Sequence, residues 1–203
     1  MQKKSWWFGL IALIALFATP SLAVDLSDPA FTKERGPTAM PVGYYDFCRT
    51  WPAECVQKPA SSEPVILDEG LWEQLVALND SVNAIVRPVS DEELYHKAEY
   101  WTYPQDAAGD CEDYVLQKRR ELMAAGWPES DLLIAVVRKL DWEGHAVLIV
   151  RTDRGDLVLD NLTAQIRLWD ETPYVYIKRQ SPLDNRVWVA MEDDRQIVSA
   201  SVR

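Results

Sequence analysis

The sequence predicts an α+β fold in which helices pack on an antiparallel sheet. Segments in the first part of the chain carry apolar residues at three- and four-residue steps, which is the spacing of one face of a helix. Five short runs rich in β-branched and aromatic residues follow after residue 131, separated by turn residues. Helices first and consecutive short strands afterwards are typical of an α+β domain.

The N-terminus has the pattern of a secretory leader. Lys3 and Lys4 precede an uncharged apolar run, residues 6–18, which is short for a membrane span. The tripeptide Ser-Leu-Ala at 21–23 supplies the small residues of a cleavage site. We therefore expect a signal peptide over residues 1–23 and a periplasmic mature chain. An uncleaved N-terminal anchor is the alternative.

The net charge and the length of the chain limit which partners and how many domains we expect. The 203 residues carry a net charge of −11, which becomes −13 if Lys3 and Lys4 leave with the leader. A negative charge of this size argues against nucleic acid or an anionic lipid surface as a partner, and it is compatible with calcium or a cationic partner. A mature chain of about 180 residues suits one domain with one sizeable core, and we expect a monomer.

The N-terminal part of the mature chain holds two of the three cysteines. Residues 24–64 are rich in Pro, Ser and Ala without sustained periodicity, and predict an irregular segment ahead of a main domain over 65–203. Cys48 and Cys55 could close a small loop as a disulfide in an oxidising compartment. A zinc site fits less well because no histidine lies nearby. Pairing these two leaves Cys111 as a free thiol.

Two helices are predicted before the third cysteine. The first begins near Asp68 and ends before Pro88, because a proline cannot continue a helix. Its apolar positions are Leu71, Leu75, Leu78, Val82 and Ile85. A second, short helix follows Ser90, whose hydroxyl can cap it, with Glu93 at the capping-box position three residues later.

The stretch GDCEDY, residues 109–114, places a cysteine among three acids at the start of a third helix. Gly126 and Pro128 are the stop signals of that helix. Its apolar stripe is Val115, Leu116, Leu122 and Met123. The free N–H groups at a helix start stabilise a thiolate, while the adjacent acids oppose it unless they point elsewhere or are neutralised. Two interpretations of Cys111 are therefore open, a small core residue and a nucleophile.

The predicted strands carry the residues that could activate a thiol. Their ranges are 132–138, 145–151, 156–160, 174–178 and 187–190. His145 opens the second strand after Gly144, and Asp160 closes the third. A thiol, an imidazole to take its proton and a carboxylate to orient the imidazole make up a catalytic triad. Taken alone, His145 is more often a core histidine, but the three residues in this order favour catalysis.

The turn between the second and third strands constrains this triad. His145 and Asp160 lie directly opposite each other only if the hairpin centres near Thr152 and Asp153. A hairpin centred on the turn signal Arg154-Gly155 would instead pair His145 with a residue further along the third strand. Asp160 would then lie about 13 Å from that residue along the strand, at about 3.3 Å per residue. We therefore expect a loop of four or more residues around 152–155.

The GDCEDY block, the block GHAVLIVRTDRGDLVLDN at 144–161 and the later YIKRQSP together resemble the bacterial transglutaminase-like cysteine proteinases, which include periplasmic LapG-type enzymes that cleave surface adhesins. The resemblance spans about residues 65–190 and implies a papain-like, transglutaminase-like fold. It implies Cys111 as nucleophile, His145 as base and Asp160 as the residue that orients the base.

The same resemblance implies a metal and partners. LapG-type enzymes hold calcium with acids that flank the nucleophile, which correspond here to Asp110 and Glu112, with Asp113 as a further candidate. Oxygen ligands suit this cation, although Asp110 could instead cap the helix. The resemblance further implies a protein substrate, such as an adhesin, and an inner-membrane receptor as a regulatory partner.

Sequence alone leaves the reaction open. Hydrolysis of a peptide bond is the first interpretation, and acyl transfer by the same triad or peptide binding without catalysis are the alternatives. The backbone N–H of Cys111 is the first predicted oxyanion donor. Gln105 and the indole of Trp101 are candidates for the second. Trp101, Trp127 and Trp142 could line a groove, although a tryptophan is more commonly a core residue.

Overall fold

A seven-stranded antiparallel sheet forms the centre of the molecule. The computed structural model describes residues 24–56, 63–193 and 195, so the expected leader lies outside the described residues. The sheet order is β1-β9-β8-β4-β5-β6-β7. The strands are β1 (Lys33–Thr38), β4 (Leu132–Arg138), β5 (Gly144–Thr152), β6 (Gly155–Leu159), β7 (Arg167–Leu168), β8 (Val175–Gln180) and β9 (Trp188–Glu192).

Between residues 24 and 193, the described part of the chain has four α-helices and a small second sheet besides the central sheet. The helices are α1 (Val42–Thr50), α2 (Glu69–Ile85), α3 (Asp91–Tyr95) and α4 (Cys111–Ala124). The short strands β2 (Arg87–Pro88) and β3 (Ala108–Gly109) pair in parallel and join the end of α2 to the start of α4. This mixed arrangement is the α+β fold that the sequence predicts. Among the described helices, none has the length and apolar character needed to cross a bilayer.

The helix signals in the sequence operate as expected. Asp68 caps α2 by accepting from the N–H of Leu71, at 2.8 Å. Ser90 caps α3 by accepting from the N–H of Glu93, at 3.4 Å. Gly126 stands just beyond the end of α4 with a φ of +98°, the left-handed conformation that a glycine adopts at little cost. Ile85 is an exception, because its side chain is exposed rather than on the buried face of α2.

The main core lies between one face of the central sheet and the helices. The α4 side chains Val115, Leu116 and Leu122 pack there against alternate residues of β5. Those β5 residues are Ala146, Leu148 and Val150. The intervening residues of β4 and β5 face a second cluster that includes two tyrosines, Tyr174 and Tyr176. Burial on both faces explains why β4 and β5 are nearly continuous apolar runs.

The prediction of an irregular segment over residues 24–64 was wrong in part. The segment contains α1 and also β1, which pairs with β9 at the edge of the central sheet. Gly36 and Pro37 interrupt the alternation of β1, and its register shifts between Glu34 and Gly36. A proline is tolerated in an edge strand because the N–H it lacks would face away from the sheet. A disulfide joins Cys48 to Cys55, as expected.

Candidate active site

Cys111 is the first residue of α4, directly behind β3. Gly109 precedes it by two residues, and a Cβ at that position would lie 2.4 Å from Oδ2 of Asp113, so only glycine fits there. The other two cysteines form the disulfide, which leaves Cys111 as a free, half-buried thiol. The start of a helix presents unpaired N–H groups and positive partial charge to the first residue.

The thiol of Cys111 lies against an acid. Its Sγ donates to Oε2 of Glu112, at 2.9 Å. Burial, the charge of Glu112 and this hydrogen bond all raise the pKa of Cys111, while the backbone of Ala146 lowers it. The acids therefore do not all point away from the thiol, and the helix N-terminus alone does not produce a thiolate. Activation requires a base and some compensation for the acids.

His145 and Asp160 form a buried pair near the start of β5. Nε2 of His145 lies 2.9 Å from Oδ1 of Asp160. The neighbour of His145 on β5 is Ala146, whose backbone interacts with the Cys111 thiol, so the start of β5 lies beside the start of α4. A proton on Nε2, facing the carboxylate, leaves Nδ1 as the acceptor nitrogen of the neutral ring. Nδ1 can then take a proton from a thiol.

Asp160 is held in its ionised form. Its Oδ1 also accepts from the N–H of Leu162, at 3.0 Å, and its Oδ2 accepts from the hydroxyl of Tyr174. Burial alone would raise the pKa of Asp160, but the hydrogen bonds from His145, Tyr174 and Leu162 outweigh it and lower the pKa. A carboxylate with this many donors is suited to orienting an imidazole.

The expected long loop between β5 and β6 is absent. Thr152 pairs with Gly155, so only Asp153 and Arg154 form the turn, and Gly155 has a φ of +112°. The β5–β6 pairing ends at Leu148 and Leu159. Continued by one residue, this register places Asp160 opposite Val147, which makes His145 its diagonal neighbour. Diagonal side chains are within reach when one of them is long or aromatic, so the short turn still permits the pair.

An acidic cluster surrounds the start of α4 at Cys111. Carboxylate oxygens of Asp91, Asp110 and Asp113 lie within 4.8 Å of one another, and ligand atoms of Asp110, Cys111 and Glu112 form a second such group. Asp110 belongs to both groups. Three buried oxygens of these acids accept no hydrogen bond from the described residues: Asp91 Oδ1, Asp110 Oδ1 and Asp113 Oδ2. Unpaired buried carboxylate oxygens are suited to holding a cation.

Burial and mutual repulsion raise the pKa values of these acids. Burial is the largest cause in each case, followed for Asp91 and Glu112 by the charge of Asp110. The pKa is about 6 for Asp91, about 8 for Asp113 and about 9 for Glu112, and it is raised for Asp110. The side chain of Asp110 makes no capping hydrogen bond to α4, although Asp110 occupies the N-cap position. Its Oδ2 accepts instead from the N–H of Asp91, at 3.3 Å.

Sequence reasoning missed Asp91 as a member of this cluster. It is the first residue of α3, where an acid is common because it interacts favourably with the helix dipole. Asp91 lies far from Cys111 in the sequence, and the pairing of β2 with β3 brings the two helix starts together. No short motif carries that information.

The tryptophans differ in their surroundings. Trp101 is buried and its indole N–H donates to Glu99, at 3.0 Å, while Gln105 is exposed. Trp127 is buried and donates to Gln74. Trp142 is exposed in the β4–β5 turn, three residues before His145, with a φ of +70°. A second oxyanion donor and a tryptophan-lined groove stay predictions.

Comparisons with known proteins agree with this architecture. The family model described as bacterial transglutaminase-like cysteine proteinase BTLCP matches residues 34–196. Among solved structures, Legionella pneumophila LapG is similar, with 24% identity, 64% of this chain and 75% of that chain covered and a TM-score of 0.51. No curated protein sequence matches the chain.

Two further LapG structures from the same organism are similar. An EGTA-treated form has 24% identity, coverage of 63% of this chain and 74% of that chain, and a TM-score of 0.50. A calcium-bound form has 21% identity, coverage of 70% and 77%, and a TM-score of 0.48. The two LapG structures with TM-scores of 0.50 and 0.51 support the fold, and the family match extends over most of the chain. The chain belongs to the bacterial transglutaminase-like cysteine proteinase family and is a cysteine peptidase of the transglutaminase-like type.

Proposed function

We propose that this chain is an exported peptidase that hydrolyses a peptide bond of a protein substrate through Cys111, His145 and Asp160. The observation that carries the proposal is the buried His145–Asp160 pair, with 2.9 Å between Nε2 and Oδ1, on a strand whose next residue, Ala146, interacts through its backbone with the free thiol of Cys111. A nucleophile, its base and the group that orients the base are the parts that covalent acyl chemistry requires.

In the proposed mechanism His145 takes the proton of the Cys111 thiol on Nδ1. The thiolate attacks the substrate carbonyl, and the backbone N–H of Cys111 at the helix start stabilises the oxyanion. The imidazolium then protonates the departing amine, which leaves an acyl-enzyme. His145 next activates a water that releases the acyl group. Throughout, Asp160 holds the ring in one tautomer and offsets its charge.

We propose calcium as the compensation that the acids around Cys111 require. The candidate ligands are Asp110 and Glu112, together with Asp91 and Asp113 of the same cluster. The residues fit a hard cation, because three of these carboxylates direct unpaired oxygens into buried space. A bound cation would supply positive charge that offsets the acids and so favours the Cys111 thiolate.

Export and the substrate class belong to the same proposal. The predicted leader over residues 1–23 would deliver the mature chain to the periplasm. The resemblance to LapG-type enzymes suggests a surface adhesin as the substrate and an inner-membrane receptor as the regulator. The negative net charge of the mature chain suits neither nucleic acid nor an anionic membrane surface.

The test begins with expression of the full chain behind its own leader and purification from the periplasm. Mass spectrometry should place the mature N-terminus at Val24. A purified chain that still begins at Met1 would contradict removal of the leader. The enzyme is then incubated with a peptide library made from bacterial cell-surface proteins, with calcium present. New peptide N-termini should form with the natural chain and not with Cys111→Ser.

The same incubation separates hydrolysis from its alternatives. A dansylated amine is added to detect acyl transfer. If the enzyme transfers acyl groups, the amine replaces water as the acceptor and the label becomes attached to peptides. Equal numbers of new N-termini with the natural chain and with Cys111→Ser, and no labelled peptides, would overturn catalysis by Cys111. The binding interpretation would then take its place.

A further inference from the structure

Tyr174 contacts the triad without belonging to it. It lies just before β8, and its side chain is 9% exposed. Its hydroxyl donates to Oδ2 of Asp160, and its ring lies 5.4 Å from the His145 ring, centroid to centroid. One side chain therefore touches both the carboxylate and the imidazole.

The two oxygens of Asp160 have separate partners. Oδ1 accepts from His145 Nε2 and from the N–H of Leu162, while Oδ2 accepts from Tyr174. Without the tyrosine hydroxyl the buried Oδ2 would lose its side-chain donor, and the carboxylate could rotate about its terminal bond. Such rotation would weaken the hydrogen bond that fixes the imidazole.

We propose that Tyr174 is a positioning residue that locks the Asp160 carboxylate and, through it, the orientation and tautomer of His145. This inference rests on the proposed role of His145 as the base for Cys111. The buried hydroxyl keeps its proton, since burial and the hydrogen bond to Asp160 raise the pKa of Tyr174. It therefore acts as a permanent donor and not as an acid or base.

Tyr176 provides a matched control two residues away. It is buried as well, at 1% exposed against 9% for Tyr174, and belongs to the same packed cluster. Its hydroxyl is hydrogen-bonded to Thr172 Oγ1, at 3.1 Å, and not to Asp160. Both substitutions, Tyr174→Phe and Tyr176→Phe, remove one buried hydroxyl from the same part of the fold.

The test uses iodoacetamide as a probe, so it requires no knowledge of the substrate. Alkylation of Cys111 at pH 7 is measured in the natural chain, in the two tyrosine variants and in His145→Ala, at one fixed calcium concentration. We expect a tenfold slower reaction for Tyr174→Phe and a change below twofold for Tyr176→Phe. Melting temperatures of the two variants should agree closely.

A proton NMR spectrum adds a readout that a structural role would not change. The chain has two histidines, and His96 is exposed, so the protected ring N–H resonance that His145→Ala removes belongs to His145. This resonance should broaden in Tyr174→Phe and persist in Tyr176→Phe.

Three results would overturn the positioning role alone: alkylation of Tyr174→Phe within twofold of the natural rate, an equal loss in Tyr176→Phe, or an unchanged resonance in Tyr174→Phe. If His145→Ala reacts as fast as the natural chain, the proposed function fails as well.

Discussion

The carboxylates of Asp160, in the predicted triad, and of Asp113, in the acidic cluster, are both buried but differ in their partners. Asp160 is 3% exposed and accepts hydrogen bonds on both oxygens, and its pKa is lowered. Asp113 is 0% exposed and has one oxygen without a partner, and its pKa rises to about 8. Burial is therefore not what decides the charge of an acid here. The hydrogen-bond donors and the neighbouring charges that the fold supplies decide it.

The site therefore has one part in which the carboxylate oxygens have hydrogen-bond partners and one part in which some of them have none. The His145–Asp160 side is satisfied by protein groups alone, so it can serve as a rigid base. The acidic cluster leaves acceptors unpaired, and a cation would complete it. The two parts of the site can be tested separately.

The largest effect is expected from Asp160→Asn. The amide cannot offset an imidazolium and permits the wrong ring tautomer, so alkylation of Cys111 at pH 7 should slow by about 100-fold or more. Iodoacetamide labelling followed by mass spectrometry measures this rate. Asp170→Asn is a suitable control, because it alters an acid outside the site. A rate within threefold of the natural chain would remove Asp160 from the triad.

Calcium should stabilise the natural chain. Binding to the folded state alone adds about 2.7 kcal/mol at a calcium concentration of 100 times Kd, which raises the Tm by several degrees. Asp110→Asn should abolish the increase because Asp110 belongs to both carboxylate groups. Glu92→Gln, an exposed acid of α3, should retain it. Scanning calorimetry in calcium and in EGTA measures the difference, and an increase that survives in Asp110→Asn would place the ion elsewhere.

Lys118 of α4, whose pKa responds to the charge of Asp160, should make the free energy of unfolding depend on pH. Burial lowers the pKa of this lysine from 10.5 to about 7, although the charge of Asp160 partly raises it. Between these two values this lysine binds more protons in the unfolded chain than in the folded chain, so Lys118 by itself adds about 2 kcal/mol of stability from pH 7.5 to 9.5. The raised pKa values of Asp113 and Glu112 act in the opposite direction, so the contribution is read from the difference between the natural chain and a lysine variant. Urea unfolding at both values in EGTA should show a smaller rise, or a fall, for Lys118→Met. Identical pH profiles for the two chains would contradict the shift.

A smaller effect is expected where α2 holds the backbone of Asp160. The side-chain amide of Asn83 donates to the carbonyl oxygen of Asp160, at 2.8 Å. Asn83→Ala should lower the free energy of unfolding by about 1 kcal/mol and slow alkylation only a few-fold. Ser81→Ala, at an exposed position of the same helix, is the control in urea unfolding. A loss no larger than that of Ser81→Ala would mean that the contact contributes nothing.

Local signals were sufficient to predict much of this molecule. The caps of α2 and α3, the end of α4 and the five predicted strands depend on neighbouring residues, and the structure contains all of them. The Cys48–Cys55 disulfide closes a short loop and was also predictable. Cys111 lies at a helix start, His145 in β5 and Asp160 directly after β6, as the sequence predicted, while their catalytic roles stay a prediction.

What the sequence did not predict depends on distant pairing. β1 forms because β9, far along the chain, offers an edge, and its own residues lack strand alternation. Asp91 joins Asp110 only because β2 and β3 pair. Tyr174 contacts Asp160 through packing in the second cluster. In the sequence it opens a strand-like run, which gave no sign of a polar role. The tight β5–β6 turn was missed because only direct, and not diagonal, pairing was considered.

The most direct test of the central claim compares the alkylation rate of Cys111 at pH 7 in calcium and in EGTA. The claim is that His145 and Asp160 supply the base while a cation completes the acidic cluster. Calcium should accelerate labelling of the natural chain by tenfold or more and leave His145→Ala slow in both conditions. An equal rate in calcium and EGTA, with His145→Ala still slow, would contradict the cation; a rate independent of His145 would contradict the triad.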